Sequence, residues 1–183
     1  LLFQGPVHDS LLRDLLESLH TAPSVRCLLT GPHGSGRTRL LENLAGRLEL
    51  LGHSVRQARA NHWVPRTTEP SNPQKAPHRG PWTSILELAA SWGASIEEIS
   101  LRLRKGDRLH TFKVLCEALE GVLPVSGAVL LWDDADDMNL DLRDWWTHFL
   151  TTRTETKLSL VMVGREPDLF LGLLSQQAMP KPS

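Results

Sequence analysis

Residues 31–38 read Gly-Pro-His-Gly-Ser-Gly-Arg-Thr, and no other stretch narrows the fold as far. The spacing is that of a phosphate-binding P-loop, G-x-x-x-x-G-K-[ST], with arginine at the lysine position. Glycines let successive main-chain N–H groups turn toward one point and cradle phosphate oxygens. A helix leaving the loop adds its free N–H groups and the positive end of its dipole. The motif belongs between a strand and that helix, so it implies an α/β layout before other residues are read. The flanks comply. Residues 25–30 form a short apolar strand, and Arg39 to Leu51 carry Leu40, Leu41, Leu44, Leu48 and Leu51 at helical spacing. Gly52 is a natural helix stop.

The residue types in the loop suggest roles. A lysine there reaches the outer phosphates, and the Ser/Thr hydroxyl holds Mg²⁺. Thr38 fills the second role. Arg37 keeps the positive charge but is a planar fork of five donors, so it is not a neutral replacement. The residues offered to a nucleotide are Gly31, His33, Gly34, Ser35, Gly36, Arg37, Thr38 and Arg39. His33 either meets the nucleotide or faces solvent.

A second motif is Ala-Val-Leu-Leu-Trp-Asp-Asp at 128–134. A continuous apolar run ending in acids is a buried parallel strand that delivers carboxylates to its C-terminal end. Asp133 is the expected Mg²⁺ partner of Thr38, and Asp134 the group that orients or deprotonates an attacking water. Asp136, Asp137 and Asp141 read as solvent-facing acids near a helix N-terminus.

The chain has 183 residues, enough for one good-sized core. Net charge is −1, so no basic field points to nucleic acid, and none is expected to bind directly. No apolar stretch is long enough to span a membrane and no signal peptide is visible. Cys27 and Cys116 sit in apolar contexts and read as buried thiols of a reducing, cytoplasmic compartment. No Cys/His cluster has metal-ligand spacing. Leu-Phe-Gln-Gly-Pro at 2–6 matches the end of a viral 3C-protease cleavage site. Residues 1–6 are therefore expected to be an expression-tag remnant. A P-loop nucleotide-binding domain would cover 7–178 and a breaker-rich tail or linker 179–183. The chain then reads as one domain of a longer protein.

Between these ends helix and strand alternate. Asp9 to Leu19 is an amphipathic helix. Ser54 to Ala60 is a second strand, and Asn61 to Gly80, with Pro65, Pro70, Pro73 and Pro77, is a long loop. Helices follow over Trp82–Trp92, Ile96–Arg104 and from the Asp107 cap to Val122. Then come the acidic-ended strand, a helix over Leu140–Thr151, a strand over Leu158–Val163 and a helix from Pro167 to Leu174. The expectation is an α/β P-loop NTPase three-layer sandwich, with helices on both faces of a parallel sheet.

Four landmarks together resemble the nucleotide-binding domain of STAND-type ATPases, an AAA+-related branch of P-loop proteins. The nearest likeness is to the domain of large bacterial transcriptional activators of the MalT/LuxR-like sort. The landmarks are Cys27 to Leu41, Pro81 to Leu88, Leu130 to Asp136, and Leu160 to Pro167. The resemblance implies a five-stranded parallel sheet in the order 5-1-4-3-2, with the Leu158–Val163 strand between the P-loop strand and the Asp133 strand. It implies ATP/ADP and Mg²⁺ as cofactors and slow hydrolysis. Arg165 would watch the γ-phosphate, or else be a surface arginine in a turn. It also implies transcription regulation or signal transduction by a nucleotide-driven switch. The partners would be lid, sensor and output domains of the same polypeptide, with nucleotide-dependent self-association.

Two functional classes fit these residues. Thr38, Asp133 and Asp134 favour an ATP-binding, weakly hydrolysing switch. Arg37 favours a degenerate P-loop scaffold or interaction domain, its guanidinium filling the phosphate cradle or pairing with Asp133. A small-molecule kinase is a weaker third, with no acceptor-site signature behind it.

Overall fold

The computed structural model describes residues 6–22, 24–32, 34–60, 62–63, 80–104 and 106–165. Helix α1 (Pro6–Thr21) leads to β1 (Arg26–Thr30), the loop, and α2 (Arg37–Leu50). Strand β2 (Ser54–Arg59) turns into the two-residue β3 (His62–Trp63). Three helices follow, α3 (Thr83–Ser91), α4 (Ile96–Leu103) and α5 (Arg108–Val122). Strand β4 (Ala128–Asp133), a 3-10 turn (Ala135–Asp137), α6 (Leu140–Thr152) and β5 (Leu158–Gly164) complete the described chain. Side-chain caps mark several starts: Ser95 accepts from the N–H of Glu98, Asp107 from that of His110 and Asn139 from that of Leu142. The Pro167–Leu174 helix lies outside the described residues, as does most of the Asn61–Gly80 loop.

The sheet runs β1-β5-β4-β2-β3. As expected, β5 lies between the P-loop strand and the Asp133 strand, parallel to both, with Cys27 opposite Val161 and Leu131 opposite Val161. The expected five parallel strands are corrected. Among the described residues four are parallel, and β3 joins the far edge antiparallel to β2. The reason is local: the chain reverses at Ala60, whose φ of 47° is left-handed, and a reversal that tight allows only an antiparallel partner. The strand expected outside β1 is not among the described residues.

Strand β4 explains why its sequence is apolar throughout. Side chains alternate across a sheet. Leu130 and Trp132 enter one core, with Ile85, Leu115, Leu119, Trp145, Trp146 and Phe149 of the covering helices. Val129 and Leu131 enter the other, with Leu12, Leu15 and Leu19 of α1 and Leu40, Leu41, Leu44 and Leu48 of α2. Both faces are buried, as a parallel sheet requires. Leu51, expected on the apolar face of α2, caps the helix instead and is 54% exposed. None of the described helices is long and apolar enough to cross a membrane.

Candidate functional site: the loop between β1 and α2

The loop leaves β1 at Thr30 and turns on two glycines with left-handed backbone, Gly34 (φ 79°) and Gly36 (φ 81°). Only glycine adopts that region at no steric cost. Gly36 is the N-cap of α2 and supplies no side-chain acceptor, so the helix's first N–H groups keep no cap partner. Ser35 Oγ is buried and makes no hydrogen bond among the described residues. An orphaned hydroxyl beside open helix N–H groups is what an anion seat offers.

Thr38 starts the first turn of α2. Its Oγ1 donates to Oδ2 of Asp133 at 2.6 Å, across 95 residues of sequence. Asp133 is only 7% exposed, and its Oδ1 accepts the N–H of Asp134 at 2.9 Å. A hydroxyl and a buried carboxylate that meet this closely are the donor set a hard divalent cation takes beside phosphate oxygens. The residues present therefore fit a Mg²⁺-nucleotide.

Asp134 follows with a left-handed φ of 49°. Its Oδ2 accepts from Nε of Arg59, at the end of β2, at 2.6 Å. The carboxylate raises the Arg59 pKa, first through that hydrogen bond and then through its charge, with Asp133 adding to it. Arg59 was not singled out by sequence reasoning. Its sole signal was its place as a cation at the C-terminal end of a parallel strand, where ligands gather. The turn beyond it is tied down as well. Ala60 donates its N–H to the Asp133 carbonyl at 2.8 Å, and Trp132 Nε1 donates to the Ala60 carbonyl at 2.8 Å.

Arg37 lies in the first turn of α2. Its Nη1 donates to the carbonyl oxygens of Gly31 and of Gly164, the last residue of β5. Its described bonds go to main chain and not to Asp133. Arg39 is exposed, and His33 is outside the described residues.

Arg165 is 52% exposed and stands beyond β5. Its Nη2 donates to Asp137 Oδ1 at 2.8 Å, its Nε is 3.5 Å from Asp136 Oδ2, and its main-chain N–H also reaches Asp136. The expectation of solvent-facing acids fails for Asp136, whose side chain is 7% exposed. It packs against Gly164, where a Cβ would meet its Oδ1 at 2.6 Å. Asp137 stays 56% exposed, and Asp141 pairs with Arg108 at 3.0 Å.

Strand order, loop and paired Thr38–Asp133 define an α/β fold in which a glycine-turned loop joins β1 of a mostly parallel sheet to a helix. No family model matches the chain, and no curated protein does. Among solved structures it is similar to the Orc1 protein of Aeropyrum pernix in complex with DNA, with a TM-score of 0.56 and 19% identity over 94% of this chain and 42% of that one. It also aligns with the structure of Drosophila ORC bound to AT-rich DNA and Cdc6, with a TM-score of 0.43 and 13% identity over 96% of this chain and 55% of that one. The chain thus spans about two fifths of the Orc1 chain and about half of the other. One expectation is corrected here. A net charge near zero argues against direct nucleic-acid binding, yet the Orc1 protein of this fold was solved on DNA. Overall charge does not exclude that partner.

Proposed function

We propose that the chain is the nucleotide-binding domain of a larger regulatory protein, an ATP/ADP switch of the STAND sort with slow hydrolysis. The observation that carries this is the 2.6 Å contact between Thr38 Oγ1 and Asp133 Oδ2 under an open P-loop. The N–H groups of residues 34 and 36–38 and Ser35 Oγ would seat the phosphates. Thr38 and Asp133 would hold Mg²⁺, which, when bound, neutralises phosphate charge. Asp134 would hold the attacking water once its carboxylate is not engaged by Arg59. Isothermal titration of ATP and ADP, with Mg²⁺ and with EDTA, tests this reading. Micromolar binding that weakens without Mg²⁺ supports it, and no heat from either nucleotide sinks it. The scaffold class then takes its place.

The Orc1 likeness gives DNA a place among the partners to be tried. Fluorescence anisotropy of a labelled duplex over a salt series decides that separately, since phosphate contacts weaken steeply with salt.

A further inference from the structure

The lysine position is the one departure from the motif, and its side chain bridges two strands. Arg37 Nη1 donates to the Gly31 carbonyl, where the loop opens, and to the Gly164 carbonyl, where β5 ends. The same Gly164 oxygen accepts the N–H of Gly31 at 3.3 Å. Asp136 closes the arrangement from behind, its carboxylate seated where a Gly164 side chain would be. The guanidinium therefore fastens the loop to a neighbouring strand 127 residues away in sequence.

A lysine ammonium is a compact point charge on a flexible stem, free to follow a phosphate. A guanidinium is rigid and planar, so fixing one nitrogen on two carbonyls orients the whole head group. Bonds from a charged donor are among the stronger ones in a protein. Drawing Arg37 onto an outer phosphate would take this donor from both carbonyls. The seat itself keeps the glycine-turned N–H groups and Ser35 Oγ, none of which needs the Arg37 charge.

We propose that Arg37 is a specificity-determining positioning residue. It staples the phosphate loop to the end of β5 and leaves a site that holds ATP and ADP nearly alike. The inference rests on the nucleotide reading above and adds a statement about selectivity. The group that in the usual motif reaches the outermost phosphates is here engaged by the protein's own main chain.

The test compares wild type, Arg37→Gln and Arg37→Lys by calorimetric Kd for Mg-ATP and Mg-ADP, and by Tm without nucleotide. Wild type is expected to bind the two within about threefold. Arg37→Gln, too short to bridge both strands, is expected to lower Tm and weaken both nucleotides by a similar factor, roughly tenfold, as loss of a charge-assisted bond implies. Arg37→Lys is expected to shift the ATP:ADP affinity ratio toward ATP by roughly tenfold, because its ammonium can reach outward. A purely structural staple would not move that ratio. The proposal is overturned if Arg37→Gln loses ATP at least tenfold more than ADP, if Arg37→Lys leaves the ratio unchanged, or if neither variant lowers Tm. If wild type binds neither nucleotide, the proposed function fails and the selectivity claim with it, while Tm still decides whether Arg37 holds the loop to β5.

Discussion

Thr38 and Asp133 share a hydrogen bond whose two oxygens a divalent ion would take over. Asp133→Asn keeps the shape and removes the charge. We expect it to abolish the Mg²⁺ dependence of ATP affinity while leaving metal-free binding nearly intact, as titrations with and without EDTA would show. On the proposed reading, Asp134 is the residue to change for turnover. We expect Asp134→Asn to bind ATP as wild type does and to hydrolyse it more slowly. Wild-type turnover in that variant would remove Asp134 from the mechanism. Arg59→Ala is informative beside it. Arg59 is 60% exposed, so Tm is expected to stay put, while hydrolysis should change because the Asp134 carboxylate loses its partner.

At the scale of elements, the ends of strands matter more than their middles. Arg26 on β1 donates to the carbonyls of Leu150 and Arg153 at 2.6 Å each, tying the sheet to the C-terminus of α6. Burial lowers its pKa, yet an arginine stays charged across any working pH. Arg26→Ala is expected to cost about 1.5–3 kcal/mol in a urea melt, the range for bonds from a charged donor. Gly164→Ala would press a methyl against Asp136, and overpacking of that sort costs ~1–3 kcal/mol. The same scale shows what was legible in the sequence. The spans of α2, α4 and α6 and the Asp107 cap follow from leucine spacing and cap chemistry, which are local. Asp133 was found because a fully apolar run must be buried on both faces and so must end at a ligand-side edge. The Arg59–Asp134 pair, the Arg37 bridge and the packing of Asp136 on Gly164 were not legible. Each joins residues far apart in the chain through side-chain direction, about which spacing says nothing. Nor does periodicity separate a parallel edge strand from the short antiparallel β3, whose direction is set by one left-handed residue at Ala60.

For the whole molecule, pH stability should carry the mark of a buried thiol. Cys27 and Cys116 are free; Cys116 is buried as expected, whereas Cys27 is only half-buried. Burial pushes the Cys116 thiol up from 9.0 to about 11, with Arg153 pulling weakly the other way, and it raises Cys27 as well. Below the unfolded value both states keep the proton, so Cys116 adds no pH dependence there. Between 9.0 and about 11 the unfolded chain ionises while the folded one does not. Stability is therefore expected to fall as pH rises through that window, and urea midpoints at about pH 8 and about pH 10 would show it. Iodoacetamide should modify Cys116 at about pH 8 only once the chain is unfolded, since the thiolate is the reactive form.

The two cores differ in one respect that decides how this protein can be watched. Trp132, Trp145 and Trp146 lie in the core covered by α3 to α6, and Trp82 and Trp92 pack against it. Among the described residues the core beneath α1 and α2 contains no tryptophan, and the chain has no tyrosine. The fluorescence of these five tryptophans is therefore a report from that first layer. A rearrangement of the loop helix confined to the α1–α2 side would leave these five silent. Trp132, next in sequence to Asp133, is the native fluorophore placed to light up when an event at the loop crosses the sheet.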